Sequence, residues 1–346
     1  MVTVPAMLEE GRLYMSITAR ELATKLGVSP SAVSFALNDK PGVSTELKKR
    51  ILVEAEKNGY DFSRIRKKEK KTGTLLFIVY KKSGAVVDDT PFFSKLSDGI
   101  KKKCAEDGFT ARMEYLYKSD LTARSFEDIS YSGCDGLLIL GTEMESDDLL
   151  PFEELGIPLV LLDNSFIRMS SDAIVIDNVQ GAYLATTHLM QKYRSQPGYL
   201  KSVYRINNFT ERADGFYKAI RANGRSASKS IVHELSPSVD GAYEDMKVIL
   251  QNKEPLARCY FADNDLIAIG AMKAVQESGR KIPDDVAIVG FDNLPISKVL
   301  DLSTVNVPVE YMGEQAAHRL IEYLENPGMP RTKTLISTDL VERYTS

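Results

Sequence analysis

Residues 17–60 read ITARELATKLGVSPSAVSFALNDKPGVSTELKKRILVEAEKNGY, and this stretch carries the start and stop signals of three short helices. Thr18 and Glu21 form a T-x-x-E capping box, in which the hydroxyl and the carboxylate each accept a hydrogen bond from a free backbone N–H. Apolar residues then recur at helical spacing until Gly27, which favours the end of the helix. The spacing therefore predicts a first helix directly after Thr18.

The second and third helices have similar boundary signals. Ser29 caps a helix whose first position is Pro30, where the missing N–H costs nothing. Ser44 or Thr45 caps the next helix, and Gly59 terminates it. Two short helices joined by a turn that contains glycine follow the helix-turn-helix plan, which is typical of DNA binding.

In that plan the first turn of the second helix faces base edges in the major groove. Serine hydroxyls there discriminate weakly between bases, whereas the methyl group of Ala32 can contact a thymine methyl. Asn38 at the helix end is available for contact, although it could equally cap the helix. The candidate DNA-binding residues are Thr18, Ser29, Pro30, Ser31, Ala32, Ser34, Asn38, Lys40, Arg64 and Arg66.

Charge is distributed unevenly along the chain. Residues 15–71 hold 13 Lys and Arg against 7 Asp and Glu, whereas the whole chain of 346 residues has a net charge of -4. A basic segment on an acidic body is typical of a protein that touches a polyanion with one end. The alternative is a solvated linker, because residues 64–71 alone supply six of the positive charges.

After residue 73 the pattern changes to short apolar runs that alternate with amphipathic helices of 10–18 residues. This alternation predicts an α/β fold with parallel sheets covered on both faces, and about ten such units favour two lobes over one sheet. The predicted strands are Leu75–Tyr80, Ala111–Tyr117, Gly136–Leu140, Leu159–Leu162, Ala173–Ile176, Ser202–Ile206, Arg258–Ala262 and Val286–Gly290.

These patterns predict four segments. Residues 1–14 lack periodicity and are expected to be a disordered extension. We expect a helix-turn-helix head, a basic hinge linker and a two-lobed effector-binding core, at residues 15–60, 61–73 and 74–346. Within the core, the first lobe is expected at about 74–162 and 305–328, and the second at about 163–304 and 329–346.

The head resembles the DNA-binding domain of the lactose/galactose repressor (LacI/GalR) family. The matching elements include Gly27-Val28-Ser29, Ala32-Val33-Ser34 and Gly59-Tyr60, and their spacing holds over more than 40 residues. The core resembles the rest of that family, most specifically in FADNDLIAIGAMKAVQESGRKIPDDVAIVGFDN at residues 261–293. The resemblance implies a cytoplasmic, repressor-type homodimer with a periplasmic-binding-protein-like core, which binds operator DNA and a sugar-like effector.

The chain departs from the family pattern at three places. Phe35 stands where the recognition helix commonly carries arginine. In the linker, Glu69 stands where a leucine often inserts into the minor groove, and Arg66 where a small residue is usual. Residues 191–209, QKYRSQPGYLKSVYRINNF, replace the usual Gly-His-Arg-x-Ile approach to a strand. From the two linker departures we expect less bending of the operator and a larger share of DNA affinity from phosphate contacts.

A sugar site needs planar polar groups at strand ends and an aromatic ring against the apolar face of the sugar. Phe92, Phe93 and Phe291 are the stacking candidates, although core packing is the better explanation for Phe93 and Phe291. Helix capping is the alternative role for Asp163 and Asn264. By position, the resemblance implies that the effector-binding residues are Phe92, Asp163, Arg212, Asn264 and Asp292.

Nothing in the sequence favours catalysis. The three histidines are dispersed, the three cysteines form no CxxC pair, and no glycine-rich phosphate loop follows a strand. We expect no catalytic residue, no metal and no cofactor. With neither an apolar run of 18 residues nor a secretory signal, we expect no membrane association and a cytoplasmic location. Two alternatives stay open: a core controlled by a partner protein, and a carbohydrate-active enzyme fused to a DNA-binding head.

Overall fold

The computed structural model describes four ranges of the chain: residues 17–37, 42–60, 72–87 and 92–346. Contacts divide the chain into two compact units, Met1–Lys71 and Thr72–Ser346. Some expectations concern residues outside the described ranges, namely the extension over residues 1–14, most of the linker, and the candidate DNA contacts Asn38, Lys40, Arg64 and Arg66.

Local capping sets the bounds of the helices of the head. The Thr18 N–H donates to the Glu21 carboxylate at 2.8 Å, and the Glu21 N–H donates to the Thr18 hydroxyl at 3.3 Å. Ser29 and Ser44 each accept from the N–H three residues later, at 3.1 and 3.3 Å. Gly27 ends the first helix with a φ of 66°. The predicted caps are confirmed, and the helices are α1 (Ala19–Leu26), α2 (Pro30–Leu37) and α3 (Thr45–Lys57).

The three helices share a small apolar core. Leu22, Val33, Ile51 and Ala55 are fully buried in it. Ala32, in the first turn of α2, is half-buried. The second helix therefore leaves its early residues at the surface, as a recognition helix requires.

The core unit alternates strands with helices, as its sequence pattern predicts. Two 3-10 turns, Lys118–Asp120 and Ala227–Lys229, interrupt the alternation. In chain order its elements are β1 (Gly73–Lys81), α4 (Phe92–Asp107), β2 (Phe109–Tyr117), α5 (Ala123–Tyr131), β3 (Gly136–Leu140), α6 (Ser146–Glu154), β4 (Leu159–Leu162), β5 (Asp172–Ile176), α7 (Asn178–Tyr193), β6 (Gly198–Ser202), α8 (Asn207–Ala222), β7 (Val232–Leu235), α9 (Val239–Gln251), β8 (Cys259–Ala262), α10 (Asp265–Glu277), β9 (Ala287–Asp292), α11 (Pro295–Val299), β10 (Ser303–Asn306), α12 (Val309–Glu325), β11 (Lys333–Ile336) and β12 (Asp339–Val341).

Two six-stranded sheets form two lobes. The first sheet has the order β11-β5-β4-β3-β1-β2, and all of its strand pairs are parallel. The second sheet has the order β12-β10-β9-β8-β6-β7, and only the β10–β12 pair is antiparallel. Buried strands of this kind need helices on both faces, which explains their nearly continuous apolar sequences. The predicted α/β class with two parallel-sheet lobes is confirmed.

The chain passes between the lobes three times, after β5, after β10 and after β11. The expected lobe bounds therefore need correction. Strands β5 and β11 belong to the first lobe, although residues 163–304 and 329–346 were assigned to the second, and β10 belongs to the second lobe. A strand's own sequence does not record which sheet it joins, so two boundaries were placed one strand before the crossover, and the third was placed inside β10.

Strand prediction failed mainly in the second lobe. A strand was expected at Ser202–Ile206, but β6 ends at Ser202, and the side chains of Tyr199 and Leu200 fill the core instead. Val203 and Tyr204 have high strand propensity, yet both are exposed. The short strands β7, β10, β11 and β12 were not predicted, because each mixes polar residues into three or four positions, unlike the equally short but continuously apolar β4.

Close packing between α4 and α12 fixes the start of α4. A Cβ at Gly99 would lie 2.0 Å from the Glu310 carbonyl oxygen, and a Cβ at Gly313 would lie 2.2 Å from the Leu96 carbonyl oxygen. Only glycine permits so close an approach of two helix backbones. Phe92 is the first residue of the helix held in this way.

Candidate ligand-binding site

A cavity lies between the lobes, at the carboxyl ends of strands from both sheets. It encloses about 440 Å³, the open space at its mouth included. Ligands of open α/β sheets bind at this edge, because loops from several strand ends converge there. All five predicted effector-binding residues line it: Phe92, Asp163, Arg212, Asn264 and Asp292. The remaining lining residues are Val86, Phe93, Thr142, Ile176, Ile206, Asn208, Phe209, Leu266 and Leu294.

Arg212 is the most extensively held side chain of the cavity. Its Nε donates to Asn178 Oδ1 at 2.9 Å, and its terminal nitrogens donate to the Asp263 carbonyl and, at 3.1 Å, to the Asp292 carboxylate. The guanidinium carbon lies 3.7 Å from the centre of the Phe291 ring, a cation–π contact. The guanidinium group of Arg212 therefore faces the cavity in one fixed orientation.

Asp292 ends β9 with an unusual backbone. Its φ is 104° and that of Asn293 is 50°, values that residues other than glycine rarely adopt. Asn293 is held on both sides, since it donates to Asn306 at 2.9 Å and accepts from Arg343 at 2.6 Å. Burial raises the pKa of Asp292 to about 6, although the Arg212 charge opposes this. Backbone strain of this kind clusters at functional sites.

Asp163 carries an unmet hydrogen-bonding need. It follows β4 directly with a φ of 62°, and its Oδ2 accepts from the Thr142 hydroxyl at 2.6 Å. Its Oδ1 is buried and makes no hydrogen bond of standard geometry with the described residues, although the Asn208 side chain lies nearby. Burial raises the pKa of Asp163 to about 6, while the Thr142 hydroxyl, the Arg212 charge and the Asn208 side chain oppose the rise. A buried oxygen without a partner is costly, so a donor from a bound molecule would satisfy it.

Asn264 both caps a helix and lines the cavity. Its Oδ1 accepts from the Ile267 N–H at 2.9 Å and so begins α10. The side chain is nearly buried and lines the cavity. Within the described ranges its amide nitrogen donates no hydrogen bond, which leaves a donor for a ligand.

Aromatic rings cover one side of the cavity. Phe92 and Phe93 pack edge to face at 5.2 Å, and Phe209 lies across the cavity on α8. Phe291, considered above as a stacking residue, is fully buried beneath Arg212 and does not line the cavity.

Two buried carboxylates brace the second lobe behind the cavity. Asp263 accepts from the Tyr199 hydroxyl and from a backbone N–H, while Asp265 accepts from the hydroxyls of Ser297 and Thr304. Burial raises the pKa of each carboxyl to about 7. Sequence reasoning assigned neither carboxylate to the site, because neither position reveals its burial.

Glu143 organises a loop of the first lobe. Its buried carboxylate accepts from the backbone N–H groups of Lys82, Ser83, Gly84 and Val86 at 2.8–3.0 Å. Burial alone would raise the pKa of Glu143, but these four donors outweigh it and hold the pKa below its usual value. The loop after β1 is thereby fixed against the cavity wall.

Sequence reasoning also missed lining residues that could contact a ligand, among them Thr142, Asn208 and Phe209. Thr142 stands two residues after β3, the same strand-end signal that identified Asp163. Asn208 and Phe209 lie in the first turn of α8, and Arg212 lies in its second turn.

On the head, the described candidates for DNA contact lie mostly at the surface. Thr18, Ser29, Pro30, Ser31 and Ser34 are exposed, although the hydroxyls of Thr18 and Ser29 also cap helices. A second surface feature of α2 is Phe35, which is 38% exposed and lies against Gly42. The early turns of α2 thus present small polar groups and one aromatic ring.

Other classes of site find little support in the described residues. In those ranges no group of three or more His, Cys, Asp or Glu side chains is placed to hold a metal ion. His188 contacts Glu342 at 3.2 Å, well away from the cavity lining. Burial raises the pKa of Cys104 to about 11 and that of Cys259 to about 12. No described helix has the length and apolarity that a bilayer span requires.

Comparison with known proteins identifies relatives over nearly the whole chain. The family of periplasmic binding proteins and the sugar-binding domain of LacI-type proteins matches residues 72–343. The chain is 27% identical over 334 residues to the HTH-type transcriptional repressor PurR of Mannheimia succiniciproducens, which covers 94% of this chain and 97% of that protein.

Two solved structures have a similar fold. The complex of the transcriptional regulator CelR with cellobiose has a TM-score of 0.71 and 22% identity, covering 95% of this chain and 100% of that one. The lac repressor dimer bound to operator and the anti-inducer ONPF has a TM-score of 0.68 and 21% identity, covering 96% of this chain and 99% of that one.

Proposed function

The chain belongs to the family of periplasmic binding proteins and LacI-type sugar-binding domains, and on that premise we propose that it is a repressor-type transcriptional regulator. Residues 15–60 bind operator DNA, residues 61–73 form the hinge, and the core from residue 74 binds a small sugar-like effector between its lobes. The observation that carries the proposal is the cavity at the strand ends, in which a fully held arginine faces an unsatisfied carboxylate oxygen.

The cavity suits an uncharged polyhydroxyl ligand. The positive charge of Arg212 is offset by the carboxylates of Asp163 and Asp292. The lining therefore carries no excess of positive charge that would favour a phosphate. Ligand hydroxyls donate to Asp163 Oδ1 and to Asp292, and they accept from Arg212 and from the Asn264 amide. Phe92 packs against the apolar face of the ring.

The head contacts DNA chiefly through the exposed first turns of α2. Ser31 and Ser34 reach base edges or phosphates, and Ala32 contacts a thymine methyl. Asn38 and Lys40, which follow that helix in the sequence, and Arg64 and Arg66 in the hinge contact the DNA backbone. The many phosphate contacts predict strong salt dependence.

The regulator acts as a homodimer in the cytoplasm. Two heads bind the half-sites of a pseudo-palindromic operator, as dimer symmetry requires. Effector binding closes the lobes and changes DNA affinity, and the coupling is reciprocal by thermodynamic necessity. We propose no enzymatic activity, in keeping with the repressor function for which its PurR relative is named.

Selection of DNA from a random duplex pool with the full-length chain tests the DNA-binding half of this proposal. The expected result is an inverted-repeat consensus. Ser31→Glu places a carboxylate on the exposed first turn of α2 and should weaken binding by at least about tenfold, through repulsion from phosphates. Ser228→Glu adds the same charge at an exposed position of the core and serves as the control. Recovery of no consensus would overturn the assignment.

A panel of sugars, sugar phosphates, nucleosides and amino acids tests the effector half by thermal stabilisation. A ligand that binds only the folded state adds about 2.7 kcal/mol at a hundredfold excess over its Kd, which is readily measured. Stabilisation by an uncharged sugar is expected. Stabilisation by sugar phosphates alone would contradict the charge argument.

A further inference from the structure

A second, wider cavity continues outward from the candidate ligand-binding site. It encloses about 1440 Å³ with its open mouth, and it shares Val86, Thr142 and Ile206 with the inner cavity. The inner cavity is the smaller of the two, at about 440 Å³ with its open space included. A ligand seated on Arg212 can therefore fill the inner cavity and still extend past the three shared residues.

The walls of this outer cavity carry an aromatic ring on each lobe. Phe166 belongs to the first lobe, where it also packs against the apolar core, and Tyr204 belongs to the second lobe and is 43% exposed. Such rings bury the apolar faces of flat or ring-shaped ligands.

The outer cavity carries no excess of positive charge, since two basic residues face three acidic ones. Lys82 pairs with Glu145 at 2.5 Å, and the exposed Arg205 on the second lobe is offset by the exposed Asp147 on the first. Glu143 is already bonded to four backbone N–H groups. An anionic extension such as a phosphate would gain no net attraction here, whereas hydroxyls would find both donors and acceptors.

The second-lobe wall is tied to the inner site. The Tyr204 N–H donates to the Ser202 hydroxyl at 3.0 Å, and the Ser202 N–H donates to the Asp263 carboxylate at 2.6 Å. Asp263 in turn accepts from Arg212 through its carbonyl. Tyr204, Arg205 and Ile206 all belong to residues 191–209, the segment in which this sequence departs from its family.

We propose that the outer cavity is a second subsite, and that the effector is a glycoside of at least two sugar rings with its outer ring between Phe166 and Tyr204. The inference rests on the proposed sugar-binding function and deepens it. Residues specific to this chain then select the outer ring, while the residues shared with the family hold the inner one.

Isothermal titration of the full-length chain tests this. The probes are glucose, galactose and ribose, the two-ring glycosides cellobiose, maltose, lactose and melibiose, and the nucleoside adenosine. We expect one two-ring glycoside to bind at least about tenfold more tightly than either of its component sugars. Tyr204→Ala should abolish that preference and leave monosaccharide affinity within about twofold. Tyr204→Phe should keep it.

Tyr131→Ala, at a tyrosine that is 86% exposed and outside both cavities, is the matched control and should change neither affinity. The proposal is overturned if a monosaccharide or adenosine is the tightest ligand, or if the two-ring preference survives Tyr204→Ala. Equal affinity for monosaccharides and two-ring glycosides would overturn the subsite but would still support the sugar-binding function. If none of the probes binds, both the subsite and the sugar-binding function are overturned.

Discussion

The two lobes contribute differently to the cavity between them. The second lobe supplies Arg212, Asn264 and Asp292, and every one of these side chains is already held by protein contacts. The first lobe supplies Asp163, whose Oδ1 is buried and makes no hydrogen bond of standard geometry in the described part of the chain, and aromatic side chains such as Phe92. One wall is thus preorganised, and the other is incomplete.

This difference indicates an order of binding. A preorganised wall binds ligand with little loss of conformational freedom, so first contact falls to the second lobe. The first lobe completes its hydrogen bonding only when a ligand hydroxyl reaches Asp163. Closure of the lobes therefore depends on the ligand, which is what a regulator requires.

The largest effect is expected from Arg212→Met, which removes the centre of the preorganised wall. Its loss takes away charged hydrogen bonds to ligand and leaves Asp292 and Asn178 without their partner. Sugar affinity should fall by at least about a hundredfold in isothermal titration. Arg221→Met, at an exposed position on the same helix, should leave affinity unchanged. A loss below about threefold would mean that the second lobe is not the primary binding wall.

Asp163→Asn tests the incomplete wall. Asparagine tolerates the positive φ of 62° at this position, so the backbone is preserved while the charge is lost. We expect about a tenfold loss of sugar affinity, smaller than for Arg212→Met. If the two variants lost affinity equally, the lobes would not differ in the way described here.

The pH dependence of binding should come from the same carboxylates. Burial raises the pKa of Asp163 and of Asp292 to about 6, so both are ionised above that pH and protonated below it in the free protein. Ligand hydroxyls that donate to the ionised forms lower these pKa values on binding, so affinity is greatest above about pH 6 and falls as the pH falls through it.

We expect a several-fold weakening between about pH 7.5 and about pH 5, measured with an uncharged sugar. Asp163→Asn should flatten the profile in part, since Asp292 still titrates. A profile that is flat in the unsubstituted protein would show that neither carboxylate accepts from the ligand.

The smallest effect on affinity is expected from Glu143→Gln, which loosens the loop after β1. One amide oxygen replaces a carboxylate that accepts four backbone N–H bonds. The free energy of unfolding should fall by about 1–3 kcal/mol, while sugar affinity should change by less than about threefold. Denaturant melts measure the change in stability, and titrations of the same preparation measure the change in sugar affinity. A large loss of affinity would mean that this loop belongs to the primary binding site.

Sequence reasoning succeeded where the determinants are local. The caps at Thr18, Ser29 and Ser44 are contained within four residues each, so the starts of the three head helices could be predicted, with only the choice between Ser44 and Thr45 left open. Asp163 and Asp292 were found because a polar residue that ends a buried apolar run is a local signal as well.

What could not be predicted depends on contacts between distant residues. The partners of Glu143 lie about sixty positions away, and the buried state of Asp263 depends on Tyr199 from another strand. Lobe membership of β5, β10 and β11 follows from pairing, which no single strand encodes. For the same reason the outer cavity has no sequence signature except the departure at residues 191–209.

Reciprocal titration tests the central claim most directly. The selected duplex is titrated into the full-length chain with and without the identified sugar, and the sugar is titrated with and without the duplex. The account predicts that each ligand changes the affinity for the other by the same factor, roughly 5–150-fold, equivalent to about 1–3 kcal/mol. Identical affinities in the presence and absence of the other ligand would contradict it.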